Sequence, residues 1–114
     1  MTEQAKENVL RTMKKCLSQQ NFDLLYPYHQ IRLDGRDEDR VIRITETIRK
    51  TNETVSYSFH ADMTDPDAIS DALNKASNDI RDHLAYKYWG IAFLLDDLES
   101  QFVKAMWFAE HPLK

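Results

Sequence analysis

The residues of this 114-residue chain that could carry chemistry are four histidines (His29, His60, His83 and His111), one cysteine (Cys16) and many scattered carboxylates. Their spacing does not assemble a reactive group. No two histidines have the HxxxH spacing of a helical metal pair, and no cysteine stands near any of them to complete a ligand set. The carboxylates of DDLE, Asp96 to Glu99, spread around a helix, which suits solvation better than a paired acid and base. The chain has no GxGxxG, P-loop or GxSxG motif, and two glycines could hardly build a phosphate cradle. Cys16 falls inside an apolar stripe and reads as a small buried hydrophobe. Neither a metal nor a cofactor nor a catalytic residue is expected, and the chain is not expected to be an enzyme.

Binding chemistry has better candidates. Ile91 to Ala109 reads IAFLLDDLESQFVKAMWFA. At 100° per residue, Ile91, Leu94, Leu95, Leu98, Phe102, Ala105, Met106 and Ala109 share one broad face, the stripe of a core-facing helix. Asp96, Asp97, Ser100 and Lys104 lie opposite, but so do Phe93, Val103, Trp107 and Phe108. Large apolar groups on two sides mean that the helix runs through the middle of the fold or that another chain covers its second side. Phe93, Val103, Trp107 and Phe108 are therefore the expected partner-binding residues. A second candidate is a group of strand arginines, Arg32, Arg43 and Arg49 with His60, which could grip carboxylate or phosphate.

These candidates must be positioned by a single compact domain over residues 1–114, because the chain is near the commonest domain size and too short for two cores. Apolar residues make up 42%, enough for a core and far from the composition of disorder. The net charge of −4 is uneven: the N-terminal half is nearly neutral and the C-terminal half acidic, so general binding to nucleic acid or an anionic membrane is disfavoured. A lone cysteine, no signal-peptide layout and no apolar run near the roughly 20 residues of a membrane span give the expectation of a cytoplasmic protein.

Thr2 is suited to cap a first helix whose Val9, Met13, Cys16 and Leu17 share a face. SQQNFDLLYP then reads as an irregular connection, with Phe22, Leu24 and Leu25 folding back on the core and Pro27 ending any helical continuation. From Tyr28 the apolar period changes to 2. Ile31 and Leu33, then Ile42, Ile44 and Ile48, then Val55, Tyr57, Phe59 and Ala61 mark three strands joined by links too short for a parallel crossover. Glu46 falls on the inward side of the middle strand, where a bulge or a sheet-edge position would accommodate it. Alternation sends Tyr28, Gln30 and Arg32, then Arg43, Thr45, Thr47 and Arg49, then Ser56, Ser58 and His60 outward.

Asp65 and Pro66 give a strong helix start, and the stripe Ile69, Leu73, Ala76, Ile80, Leu84 predicts a helix to about Tyr88. Gly90 then supplies the break before the last helix, with Tyr86, Tyr88, Trp89 and Phe93 packing the bend. The fold expected is α+β, a three-stranded antiparallel meander with helices packed on one face, in the order α-β-β-β-α-α. That order resembles a double-stranded-RNA-binding domain, and the resemblance ends there: Asp65, Asp67 and Asp71 stand where such a domain places basic residues.

The function expected is that of a small non-catalytic protein-interaction module, a self-associating inhibitor or adaptor of the kind a phage or other mobile element would encode. A protein partner and a homodimer are expected, with no membrane. The alternative is a nucleic-acid or anionic-ligand binder using the arginines of the open sheet face.

Overall fold

In the computed structural model, which describes residues 1–112, period-two alternation produces one antiparallel sheet of β1 (His29–Arg36), β2 (Asp39–Ile48) and β3 (Glu53–Ala61), in that spatial order. Ile31, Ile42, Ile44, Val55 and Phe59 are buried on one face, and Gln30, Arg32, Arg43 and Ser58 are exposed on the other. The helices lie on the apolar face. They are α1 (Glu3–Cys16), α2 (Gln19–Leu25), α3 (Pro66–His83) and α4 (Trp89–Glu110), with a 3-10 turn (Tyr86–Tyr88) leading into the last. The class is α+β, and the order α-α-β-β-β-α-α contains one helix more than the sequence predicts.

Local chemistry explains most of the boundaries. Thr2 caps α1 by accepting a hydrogen bond from the Ala5 amide at 3.1 Å, and Asp65 caps α3 by accepting one from Asp67 at 3.0 Å, with Pro66 in the first turn. The first hairpin turns at Asp37 and Glu38, and β1 continues through Gly35 to Arg36. Gly35 has φ +85°, and a side chain there would meet the Asp39 carbonyl at 2.9 Å. Arg40 and Lys14 both bond the Asp37 carboxylate and hold it below the usual carboxylate range, which ties the hairpin to α1.

Five expectations are corrected. Ser18 to Leu25 is not irregular: Ser18 accepts from the Asn21 amide at 3.3 Å and starts α2, and Asn21 in turn donates to the last carbonyl of α1, that of Cys16, at 2.9 Å. Only Phe22 of that segment enters the core. Leu24 is 82% exposed and Leu25 53%, because a helix of seven residues buries a single turn's worth of side chain. α3 stops at His83, five residues short of its predicted end, where Leu84 takes an extended conformation.

Gly90 is not the break between the last two helices; it lies inside the first turn of α4. A Cβ at Gly90 would sit 2.3 Å from Glu46 Oε2, so the missing side chain is what leaves room for the Glu46 carboxylate beside α4. Glu46 itself needs no bulge or edge. It stands in regular register between His29 and Val55 on the central strand, 3.0 Å from His29 Nε2, with its carboxylate against the positive end of α4.

The buried side chains form one contiguous cluster built on Met13, Phe22, Ile42, Ile44, Leu73 and Ile80, with α4 contributing Ile91, Leu95, Leu98 and Phe102. The molecule measures 50 × 25 × 24 Å, elongated because α1 and the second half of α4 run out together. Gly90→Ala is expected to cost about 1 kcal/mol as the Glu46 carboxylate is pushed off His29. In a Glu46→Ala background the same change should gain about 0.5–1 kcal/mol, what alanine adds over glycine in a helix; urea denaturation of the four proteins checks the change of sign.

Candidate interaction surfaces

The second side of α4 remains uncovered by its own chain: Phe93 is 58% exposed, Val103 45%, Trp107 54% and Phe108 58%. The four do not form one patch. Phe93 lies ten residues before Val103, about 15 Å along the axis at 1.5 Å per residue. α3 also claims it, for the Arg81 guanidinium carbon stands 5.4 Å from its ring centroid. Arg81 is held there by an ion pair with Asp96, and Ser77, fully buried on α3, donates to Asp96 at 2.5 Å. Burial pushes the Asp96 carboxyl up, but the bonds from Arg81 and Ser77 outweigh it and leave the group below the usual range.

Val103, Trp107 and Phe108 do come together at the C-terminal end. Val103 and Trp107 occupy successive turns on one side. Phe108 meets Trp107 edge to face at 5.2 Å and lines a cleft of about 450 Å³ against Ala5, Val9 and Thr12 of α1. His111, which has no metal-binding part here, stacks on Trp107 at 4.2 Å with its Nδ1 2.9 Å from the Trp107 carbonyl oxygen. Trp107 is thereby fixed between two aromatic neighbours while half of it faces water. A rigid, amphipathic indole of this kind is the side chain most enriched where binding energy concentrates in interfaces.

The sheet arginines are dispersed. Arg32 and Arg43 are cross-strand neighbours on the open face, but Arg32 is paired with Asp34 at 3.1 Å. His60 is paired with Asp39 at 2.8 Å. Arg49 lies beyond the end of β2, six residues from Arg43, and stacks over the Tyr28 ring at 4.7 Å. Among the described residues only Arg43 and Arg49 of this group have no carboxylate within ion-pair distance. Around Arg32 and Arg43 the surface is a shallow depression of about 650 Å³ shared with Gln19, Asp23, Gln30 and Thr45.

Two features were not visible in sequence spacing. His29 and Glu46 form a half-buried pair on the inward face, and neither His29 nor His60 hydrogen-bonds a serine, threonine or cysteine that it could activate. The second is the main-chain edge of β3. Thr47 N–H donates to the carbonyl of Tyr28, just before β1, so the even-numbered residues of β2 face β3, and Thr54, Ser56, Ser58 and His60 direct their main-chain groups away from the sheet. The opposite edge is partly covered, the amides of His29 and Ile31 donating to Tyr26 and to the Gln19 side chain.

Of the aromatic cluster before α4, Tyr86 is 79% exposed and leans on Trp89 at 5.1 Å, while Tyr88 and Trp89 are half-buried at the bend. Burial pushes the Cys16 thiol above its ordinary value, away from the reactive thiolate. Among the described residues no group of three histidine, cysteine, aspartate or glutamate side chains could hold a metal ion, and no helix is long and apolar enough to cross a membrane. Comparison with protein-family models, curated proteins and solved structures gave no match.

Asp96 sets a pH dependence. Its folded pKa is depressed, so its contribution is present above the unfolded value near 4 and is lost as pH falls through the folded value. Asp96→Asn should lower stability at pH 7 by about 1 kcal/mol, discounted because the pair is partly solvated, and should flatten the loss of stability below about pH 4. Denaturation midpoints from pH 7 to 2.5 check it.

Proposed function

We propose that this protein is a small non-catalytic interaction module, an inhibitor or adaptor that acts in the cytoplasm by occupying a partner protein's surface, and that it self-associates through the C-terminal half of α4. The observation that carries the reading is the contiguous exposure of Val103, Trp107 and Phe108 at the end of a helix whose other face is already spent on the core. Exposed apolar area of this sort favours association by about 25 cal/mol per Å² removed from water, and a tryptophan held in place gives up little side-chain entropy on binding. Phe93 stands at the edge of the contact, since Arg81 already lies across it. An anion-binding role for the open sheet face rests on the neighbouring Arg32 and Arg43, and would be recognised by steep weakening with salt and loss on Arg43→Glu.

Static light scattering over a concentration series tests the main reading. The wild type should exceed the mass of one chain, and Trp107→Glu should lower the assembled mass by at least half with an unchanged far-ultraviolet circular dichroism spectrum. A wild type at one chain throughout, or an assembled mass that the substitution leaves unchanged, overturns it.

A further inference from the structure

A strand at the edge of a sheet is normally shortened, bulged, charged with lysine, interrupted by proline or covered, because its free main-chain groups will pair with any extended chain of matching pattern. Apart from Lys87, which reaches its first residue, Glu53, from the 3-10 turn, β3 has none of these protections. It runs nine residues, ETVSYSFHA, without lysine or proline, and its register with β2 is unbroken from Glu53 to Ala61. Among the described residues no hydrogen bond reaches the outward amides or carbonyls of Thr54, Ser56, Ser58 or His60.

We propose that the outer edge of β3 pairs antiparallel with the same strand of a second copy, in register about Tyr57, so that two three-stranded sheets become one of six strands. The proposal is independent of the α4 contact.

The strand's own pattern selects a second copy as the occupant. Only a two-fold axis through Tyr57 pairs all nine residues. It sets Ser56 opposite the second copy's Ser58 and Thr54 opposite the second copy's His60, and these four are the residues whose main-chain groups face outward, so both positions are hydrogen-bonded pairs. Between them Val55 meets the second copy's Phe59, and the two Tyr57 side chains meet each other, all on the apolar side. Serine, threonine and histidine then share the polar side. A register slipped by one residue would put apolar side chains against solvent.

The helix beside the strand agrees. A cleft of about 550 Å³ separates β3 from α3, lined by Tyr57, Phe59, Ala72, Lys75, Ala76 and Asp82 among others. Tyr57 donates to Asp79 Oδ2 at 2.6 Å, so an axis through Tyr57 passes beside Asp79. Reversing the direction of α3 about that axis brings Lys75, one turn before Asp79, toward the second copy's Asp82, three residues after it. The pairing is of opposite charges, occurs twice as an isologous contact requires, and offsets the like charges of the two Asp79 carboxylates that meet near the axis, each bonded by its own Tyr57 hydroxyl. Ala72 and Ala76 leave room for the approach.

With both contacts formed the chain assembles to four copies, or to an open string of them. Ser58→Pro removes an amide that points away from its own sheet, the position at which an edge strand tolerates proline, and places the ring where the second copy's strand would lie. Light scattering should read four chains or more for the wild type, two for Ser58→Pro, two for Trp107→Glu and one for the double variant. A wild type of two chains that Trp107→Glu makes monomeric and Ser58→Pro does not would overturn the β3 contact and leave the α4 reading standing. Dissociation by Ser58→Pro alone would do the reverse. A monomer in every case removes both.

Amide hydrogen exchange of the wild type reads the same contact without any substitution, and decides it if Ser58→Pro fails to fold. The amides of Ser56 and Ser58 should exchange at least tenfold more slowly at a concentration where the protein is assembled than after dilution to the single chain; equal rates would contradict the proposal.

Discussion

The seating of α4 against β2 and α3 is the constraint on which the rest of the molecule depends. With no side chain at Gly90, the helix can begin against the Glu46 carboxylate, an acid that the central strand would otherwise bury at a cost. That acid meets His29 on one side and the positive end of the helix on the other. From this start α4 is enclosed: Ile91, Ala92 and Leu95 are fully buried between the sheet and α3, and Leu98 and Phe102 follow. The direction so imposed carries its last turns past the sheet, where α1 is the neighbouring helix and can cover only one side. Exposure of Val103 and Trp107 is thus a consequence of how the helix is seated at its other end.

The sequence made the strands, the two well-capped helices and the core stripe of α4 legible because each is written in local terms. Ile42 and Ile44, or Val55 and Phe59, alternate within one strand; Thr2 and Asp65 cap the turns that immediately follow them. What could not be read depends on partners distant in sequence. α2 has one buried residue, Phe22, and is held by polar contacts of Ser18, Asn21 and Gln19 that leave no periodic apolar mark. The true end of α3 is hidden because Leu84 continues its stripe in sequence while its backbone turns extended, and Lys87 beyond it is drawn to Glu53 on β3 at 2.8 Å. Nothing in RITETIR shows that His29 and Gly90 will accommodate Glu46.

The second apolar stripe of α4 was legible as a stripe but not as a surface. A helical wheel places Phe93 beside Trp107 in angle, yet fourteen residues, about 21 Å of helix at 1.5 Å per residue, separate them, and Arg81 reaches over from α3 to the first alone. The open β3 edge was equally invisible to side-chain patterning, since it consists of main-chain groups whose direction only the register reveals. The two exposed surfaces differ in kind. At the end of α4 association would gain from removing aromatic area from water, with little demand on angle; along β3 it would gain from directional hydrogen bonds that specify register. The first would supply strength and the second orientation.

The central claim is that the end of α4 is covered when the protein assembles. Acrylamide quenching of Trp107, followed in a Trp89→Phe protein so that only one indole emits, tests it most directly. The account predicts a quenching constant that falls at least twofold between the dilute, single-chain protein and the assembled one, with a blue shift of the emission. A Trp107 equally accessible at every concentration, in a protein whose mass nevertheless rises, would contradict it.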